Sequence, residues 1–195
     1  HVLYPQITLE IATPGPVEAA DEHFDVSILS IGEQPLQGDF IARQLASSAF
    51  IICASPAYLA QHGTPQTPQQ LLEHQALLPA VSAVRRELTL YGHAGQKTNL
   101  PLIPALLSSS QIELLLAACL AGLGIAGLPS FIAEQALNNG ALVRVLPEWQ
   151  GTTLNLYAAM PTRKHIPART RVFVDFLVQT FGGNSVDPWL KATQR

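Results

Sequence analysis

The chain has 195 residues, of which 48% are hydrophobic and 13% charged, so it can bury one core or the cores of two small lobes. The chain has a net charge of −3 and only 11 lysines and arginines, so it lacks the basic surface that binding to a phosphate backbone requires. We therefore expect no DNA binding by this chain alone. No signal-peptide pattern opens the sequence and no apolar run approaches the ~20 residues that span a bilayer, which predicts a cytoplasmic chain with no membrane partner.

Strand and helix patterns alternate along the chain, which predicts an α/β fold with mixed, mostly parallel sheets. Helix starts are marked: Ser55-Pro56 and Thr67-Pro68 each place a capping hydroxyl before a proline, and Gly63 stops the first of these helices. The tail after Gly182-Gly183 carries little pattern and is expected to be loosely held, with Trp189 and Leu190 able to dock. The predicted strands are 7–11, 26–29, 50–53, 125–128, 142–146 and 154–159, the predicted hairpin turn is 92–96, and further helices are predicted to start at Ser110, Ser130 and Pro167.

Gly122, Gly124 and Gly127 match the G-x-G-x-x-G spacing of dinucleotide-binding loops, but their context is reversed. Ser110 and Glu113 have the S-x-x-E spacing of a capping box and precede an apolar helical run that ends at Gly122. The glycines therefore close a helix and open a strand, and no nucleotide cofactor is predicted.

The start of that helix is the strongest candidate for a ligand site. Its first amides have no partner within the helix, and the helix dipole favours a polar or anionic group there, although plain capping explains the same serines. Residues that follow other predicted strands are candidate cleft walls, because ligands of open α/β sheets lie beyond the carboxyl ends of strands; the alternative is ordinary loop residues. The candidate effector-binding residues are Ser108, Ser109, Ser110, Gln111, Leu78, Pro79, Ala80, Ser30, Ile31, Gly32 and Pro129.

Catalytic and metal-binding patterns are missing from the sequence. There is no G-x-S-x-G elbow, no paired-carboxylate motif and no H-x-x-x-H or Cys-His spacing among the six histidines and two cysteines. Both cysteines stand in apolar strings, which argues against a disulfide. Arg163-Lys164-His165 is a small basic cluster that reads as a solvated loop, with a partner contact as the alternative. We expect no enzyme, no metal and no cofactor.

Five stretches, in order, resemble the effector-binding domain of LysR-type bacterial transcriptional regulators. They cover roughly residues 4 to 181, and their order is more specific than any one of them. The stretches are FDVSI at 24–28, ARQL at 42–45 with CASPAYL at 53–59, LAGLGIAGLP at 120–129, GALVRVLPEW at 140–149, and LYAAMPTRKHIPARTRVFVDF at 156–176.

The resemblance implies two lobes of a type 2 periplasmic-binding-protein-like fold, with the chain crossing twice between them. Lobe one would be residues 1–54 plus 157–195, and lobe two residues 55–156. The family's first strand and most of its first helix are missing before Tyr4, and so is its DNA-binding winged helix-turn-helix. Where relatives often have arginine after the FDVSI strand this chain has Leu29, which weakens the case for a strongly charged effector.

By the same resemblance, a small metabolite would bind between the lobes and shift their arrangement, and the domain would form a homodimer or tetramer. DNA would be bound only through the missing N-terminal domain. Two rival functions stay open at this point: a two-lobed solute-binding protein of a transport system, and a small hydrolase with an exposed serine.

Overall fold

The computed structural model describes residues 2–13, 19–32, 34–80, 87–93, 95–101, 104–161 and 166–192. The strands are β1 (Ser27–Ile31), β2 (Phe40–Ala54), β3 (Ala76–Pro79), β4 (Glu87–Gly92), β5 (Lys97–Pro101), β6 (Leu107–Ser109), β7 (Ile125–Pro129), β8 (Val143–Arg144), β9 (Trp149–Gln150) and β10 (Thr153–Pro161). The helices are α1 (Pro56–His62), a 3₁₀ helix (Pro68–Glu73), α2 (Ile112–Leu120), α3 (Ser130–Asn138), α4 (Ala168–Phe181) and α5 (Pro188–Ala192). None of the described helices is long and apolar enough to cross a membrane.

The chain divides into two compact units. Unit 1 comprises residues 1–46 and 155–185, and unit 2 comprises residues 47–154 and 186–195. The predicted lobe one includes residues 47–54 and the tail. Contacts place them with the middle segment, because the second half of β2 pairs with β7 and β8 and the tail is hydrogen-bonded to unit 2.

Unit 1 is built on antiparallel pairing of β1 with β10, from Ser27 opposite Ala159 to Ile31 opposite Asn155. Helix α4 starts after Pro167, as predicted, and ends at Gly182, whose φ of 96° is the left-handed conformation typical of a helix end. Its buried Val174 packs in a cluster with Leu45 and Met160. The core of unit 1 therefore lies between the sheet and this helix.

Unit 2 contains a sheet with the strand order β2-β7-β3-β6 and a smaller sheet with the order β5-β4-β9. Among the described residues of unit 2, β3 pairs in parallel with β6 and β7, while β2 runs antiparallel to β7 and β4 antiparallel to β5 and β9. Helices α2 and α3 pack on the larger sheet through an apolar cluster that includes Leu77, Leu115 and Leu128. The mixed sheets and alternating helices confirm the α/β class.

Local start and stop signals were read correctly at α1. The Ser55 hydroxyl accepts a hydrogen bond from the Tyr58 amide at 3.3 Å, and Gly63 ends the helix at a φ of 84°. The Thr67-Pro68 segment forms a 3₁₀ helix rather than an α-helix, with Gln70 Oε1 accepting from the Thr67 amide. The hairpin at 92–96 also forms, closed by the Gly92 amide donating to the Gln96 carbonyl.

Two expectations for the chain ends were wrong. Residues 7–11 form no strand, because their alternating apolar side chains find no neighbouring strand among the described residues and Leu9 and Ile11 stay exposed. The tail forms α5 instead of a loosely held segment, as far as residue 192. Trp189 and Leu190 dock, as anticipated: the rings of Phe131 and Trp189 lie 5.6 Å apart, and Leu190 packs against the unit 2 core.

Candidate functional site

The carboxyl ends of β7, β3 and β6 lie at one edge of the unit 2 sheet, because the three strands are parallel. Leu78 lies opposite Ser108 and Pro79 opposite Ser109, and the Ala80 amide donates to the Ser109 carbonyl at 2.8 Å. The structure thus brings together these five predicted residues from two segments separated by some thirty positions. Pro129 ends β7 at the same edge, where it is buried and starts α3.

The predicted capping box at α2 was wrong. The helix begins one residue later than expected, so Gln111 occupies the N-cap and Glu113 the second helical position instead of the third. The Ser109 hydroxyl, not that of Ser110, bonds this turn: it accepts from the Gln111 amide at 3.0 Å. Ser108, Ser110 and Gln111 are exposed. The Leu114 amide of the first turn donates to the Gln111 carbonyl at 3.2 Å. The amides of Ile112 and Glu113 precede it, have no acceptor within the helix and can meet a ligand.

Ser30, Ile31 and Gly32 belong to unit 1. The strand extends further than predicted, so Ser30 and Ile31 are the last two residues of β1 and only Gly32 follows it. Ile31 is a core residue, packed with Leu29 and Ala159, so its side chain is committed to the fold. Ser30 and Gly32 are half-buried. Ser30 and Gly32, unlike Ile31, therefore retain accessible surface for contact with a ligand.

A cavity of about 430 Å³ lies in unit 2 between the larger sheet and the β4–β5 hairpin. Three predicted residues, Leu78, Pro79 and Ser108, line it. Sequence reasoning missed the rest of the lining, although the predicted hairpin at 92–96 indicated that β4 would pair with β5. The additional lining residues include Phe50, Ile52, Leu71, Leu72, Gln75, Leu88, Thr89, Leu90, Leu100, Pro101, Ile125, Gly127 and Thr152.

The lining is predominantly apolar. Among the described lining residues Glu87 carries the single full charge, and hydrogen-bonding side chains are few: Gln75, Thr89, Ser108 and Thr152. A small-molecule site of this kind binds by burying apolar surface and orients its ligand with a few polar groups.

The three glycines of the reversed fingerprint have different physical roles. Gly122 and Gly124 lie between the end of α2 and the start of β7, as predicted, and Gly127 lies inside β7. Gly122 has a φ of 76°, and a Cβ on Gly124 would lie 2.4 Å from the Gln75 carbonyl oxygen, so both positions require glycine. A Cβ on Gly127 would meet nothing within 4 Å.

A second serine at a helix start is buried in a polar network. The Ser130 hydroxyl lies 2.7 and 2.9 Å from the two carboxylate oxygens of Asp187 and 2.8 Å from the Ser48 hydroxyl. Asp187 also accepts from the amides of Ala49, Trp189 and Leu190. This carboxylate joins β2, α3 and α5, and the network is structural.

The two cysteines are free and buried. Burial raises the pKa of both thiols, that of Cys119 to about 11, which suppresses the reactive thiolate. Within the described part of the chain no group of three or more histidine, cysteine or acidic side chains could hold a metal ion. The Arg163-Lys164-His165 cluster lies outside the described residues.

The family model for the LysR substrate binding domain matches residues 1–182. The chain belongs to this family. It is 32% identical over 181 residues to the probable HTH-type transcriptional regulator LtrA of Klebsiella pneumoniae, covering 91% of this chain and 57% of that protein. It is 33% identical over 183 residues to the HTH-type transcriptional regulator CrgA of Neisseria meningitidis, covering 93% of this chain and 60% of that protein.

Solved structures give the same assignment. The full-length virulence activator AphB of Vibrio cholerae superposes with a TM-score of 0.77 at 26% identity, over 92% of this chain and 60% of that one. The CrgA regulatory domain of Neisseria meningitidis superposes with a TM-score of 0.67 at 32% identity, over 80% of this chain and 75% of that one. The fold is the two-lobed, type 2 periplasmic-binding-protein-like regulatory domain.

The chain is therefore an effector-sensing regulatory domain of the LysR-type class. The relatives named above are transcriptional regulators and not enzymes, so neither a transport protein nor a hydrolase is favoured. The chain spans 57–60% of the length of these two curated relatives.

Proposed function

We propose that this chain regulates transcription by binding a small metabolite, in a cytoplasmic regulator that contacts DNA through a separate helix-turn-helix domain. The family supports effector sensing, and the relatives are HTH-type regulators longer than the matched segment. A net charge of −3 supports DNA contact elsewhere than on this chain.

The effector contacts that we propose in unit 2 are Ser108, Ser109 and the first two amides of α2, with Leu78 and Pro79 as the apolar wall. The observation that carries this proposal is the meeting of two parallel strand ends, which places the exposed Ser108 on the lining of a ligand-sized cavity. Ser110, Gln111 and Ala80 flank the same edge, and Pro129 ends the neighbouring strand.

The test begins with a thermal-shift screen of small metabolites against the whole chain. For a metabolite found in this way, Ser108→Ala should weaken binding several-fold, consistent with one lost hydrogen bond of about 1 kcal/mol, and leave the stability of the free protein unchanged. Ser110→Ala is the matched control, since Ser110 is exposed and does not line the cavity. Unchanged affinity in Ser108→Ala and Ser109→Ala would place the effector elsewhere.

The proposal has two further parts, a ligand contact in unit 1 and self-association of the chain, and each has its own test. Ser30 and Gly32 are proposed as ligand contacts of unit 1, and Ser30→Ala should then weaken the binding of a metabolite found in the screen. Self-association as a homodimer or tetramer is proposed from the family and is measured by light scattering at micromolar concentration; a monomer at every concentration would contradict it for this chain.

A further inference from the structure

One row of residues crosses the larger sheet of unit 2 and lines the cavity. Ile52 on β2 lies opposite Gly127 on β7, and Leu78 on β3 lies opposite Ser108 on β6. The register of β3 with β7 pairs Leu77 with Ala126, so its next step places Leu78 beside Gly127. All four residues line the cavity, and Gly127 is the one position of the row without a side chain.

No backbone requirement explains glycine at this position. Gly127 has no positive φ, and a Cβ there would meet open space, whereas Gly122 and Gly124 of the same motif cannot carry one without strain. Glycine in the interior of a strand weakens the strand and often marks the close approach of a ligand. The missing side chain opens space directly over the sheet.

The chemistry of the lining defines the class of ligand that fits this space. A volume of about 430 Å³ is in the range of small-molecule sites. Leu71, Leu88, Leu90 and Leu100 lie across from the row, and the one charged lining residue described, Glu87, would repel an anion. Ser108 ends the row two strands from Gly127, which is ~10 Å at the usual strand spacing.

We propose that this cavity binds an uncharged, largely apolar small molecule, which lies over Gly127 and directs one hydrogen-bonding group to Ser108. The proposal rests on the proposed effector function for Ser108, but Gly127 and the apolar lining are separate observations. Ligand binding here removes from water both the apolar lining and the apolar surface of the ligand.

Two fluorescent probes with the same anilinonaphthalene skeleton test the ligand class on the whole chain. N-phenyl-1-naphthylamine is neutral, and 8-anilino-1-naphthalenesulfonate adds one negative charge. We expect saturable binding of the neutral probe with increased emission, and at least tenfold weaker binding of the sulfonate. Equal or tighter binding of the sulfonate would overturn the assignment to an uncharged ligand.

Variants at Gly127 test the location. Gly127→Leu and Gly127→Val both fill the space over the sheet, and each should weaken the neutral probe at least tenfold while the melting temperature is kept or raised. Gly127→Ala is the matched control and should weaken the probe less than threefold, because it adds a single methyl group. Ser108→Ala should reduce affinity several-fold. The valine variant suits a strand and serves if the leucine variant fails to fold.

The two proposals fail separately. Absence of neutral-probe binding to the wild-type chain, or unaltered binding in a folded Gly127→Leu or Gly127→Val variant, would overturn the apolar-ligand inference. If a polar metabolite from the screen still depended on Ser108 in that case, the effector function would stand. Probe binding that depends on Gly127 but not on Ser108 would show that the cavity binds the probe without a hydrogen bond to Ser108, which contradicts the proposal as stated.

Discussion

Two strand-to-helix junctions at one edge of the unit 2 sheet have serines at the helix start and opposite surroundings. At the junction of β7 with α3, Ser130 is 0% exposed and bonded to Ser48 and Asp187. At the junction of β6 with α2, Ser108 and Ser110 are exposed, and Ser109 bonds the Gln111 amide. We call the first the closed junction and the second the open junction.

The difference arises from the C-terminal tail, not from the serines. Asp187 immediately precedes α5, and its carboxylate supplies the acceptors that Ser130, the Ala49 amide and the first amides of α5 require. A helix start is thus structural where another segment of the chain fills it, and it is available to a ligand where none does.

The largest expected effect comes from removing the carboxylate of the closed junction. Asp187→Ala removes the carboxylate that accepts from Ser130 and from three backbone amides, and should lower the free energy of unfolding by about 3 kcal/mol, since hydrogen bonds to a charged group are worth about 1.5–3 kcal/mol each and partly share this loss. The measurement is urea denaturation.

The matched control is Asp175→Ala. Asp175 pairs with Arg43 at 3.2 Å on the surface, where both side chains are about half exposed, and its loss should cost less than 1 kcal/mol. If the two aspartate variants had equal stability, the tail would not hold the closed junction together.

A smaller effect should separate the serines of the two junctions. Ser130→Ala removes a buried hydroxyl with two partners and should cost about 1–2 kcal/mol, while Ser109→Ala should cost ~0.5–1 kcal/mol for the bond to Gln111. Ser110→Ala should cost almost nothing. A destabilised Ser110→Ala variant would show that the capping box forms in solution after all.

The closed junction could not have been predicted from the sequence, although its helix could. Ser130 was read correctly as a helix start, and Ser55 and Gly63 as caps, because such signals act within four residues. Ser130 and Asp187 are 57 residues apart, and nothing local in a serine or an aspartate specifies that pairing.

The open junction shows a similar limit of sequence-based prediction, over neighbouring residues. Ser109 and Ser110 compete for one turn, and a shift of one residue in the helix start decides between them. Candidate residues at the strand ends could be named from the sequence because ligands of open α/β sheets lie beyond the carboxyl ends of strands. The cavity over Gly127 depends instead on the register of four strands and on a hairpin packed above them.

The smallest effect concerns how stability depends on pH through His74, which precedes the cavity-lining residue Gln75. Burial, reinforced by His62, holds the pKa of His74 below its usual value of 6.5, against the opposing charge of Glu73. The Tyr58 hydroxyl accepts from the Gln75 amide and lies 3.2 Å from His74 Nδ1, so its proton is free to donate to an unprotonated ring. The folded chain therefore favours neutral His74, and the unfolded chain binds the proton more readily. His74 should contribute constant stability above about pH 6.5 and lose it as the pH falls from there towards the folded pKa.

Urea denaturation of the wild type and His74→Gln at about pH 8 and about pH 5.5 isolates this contribution, because other groups titrate alike in both. The wild-type advantage should shrink at the lower pH; an advantage that is constant or grows would mean that the ring is as easily protonated in the fold as in the unfolded chain.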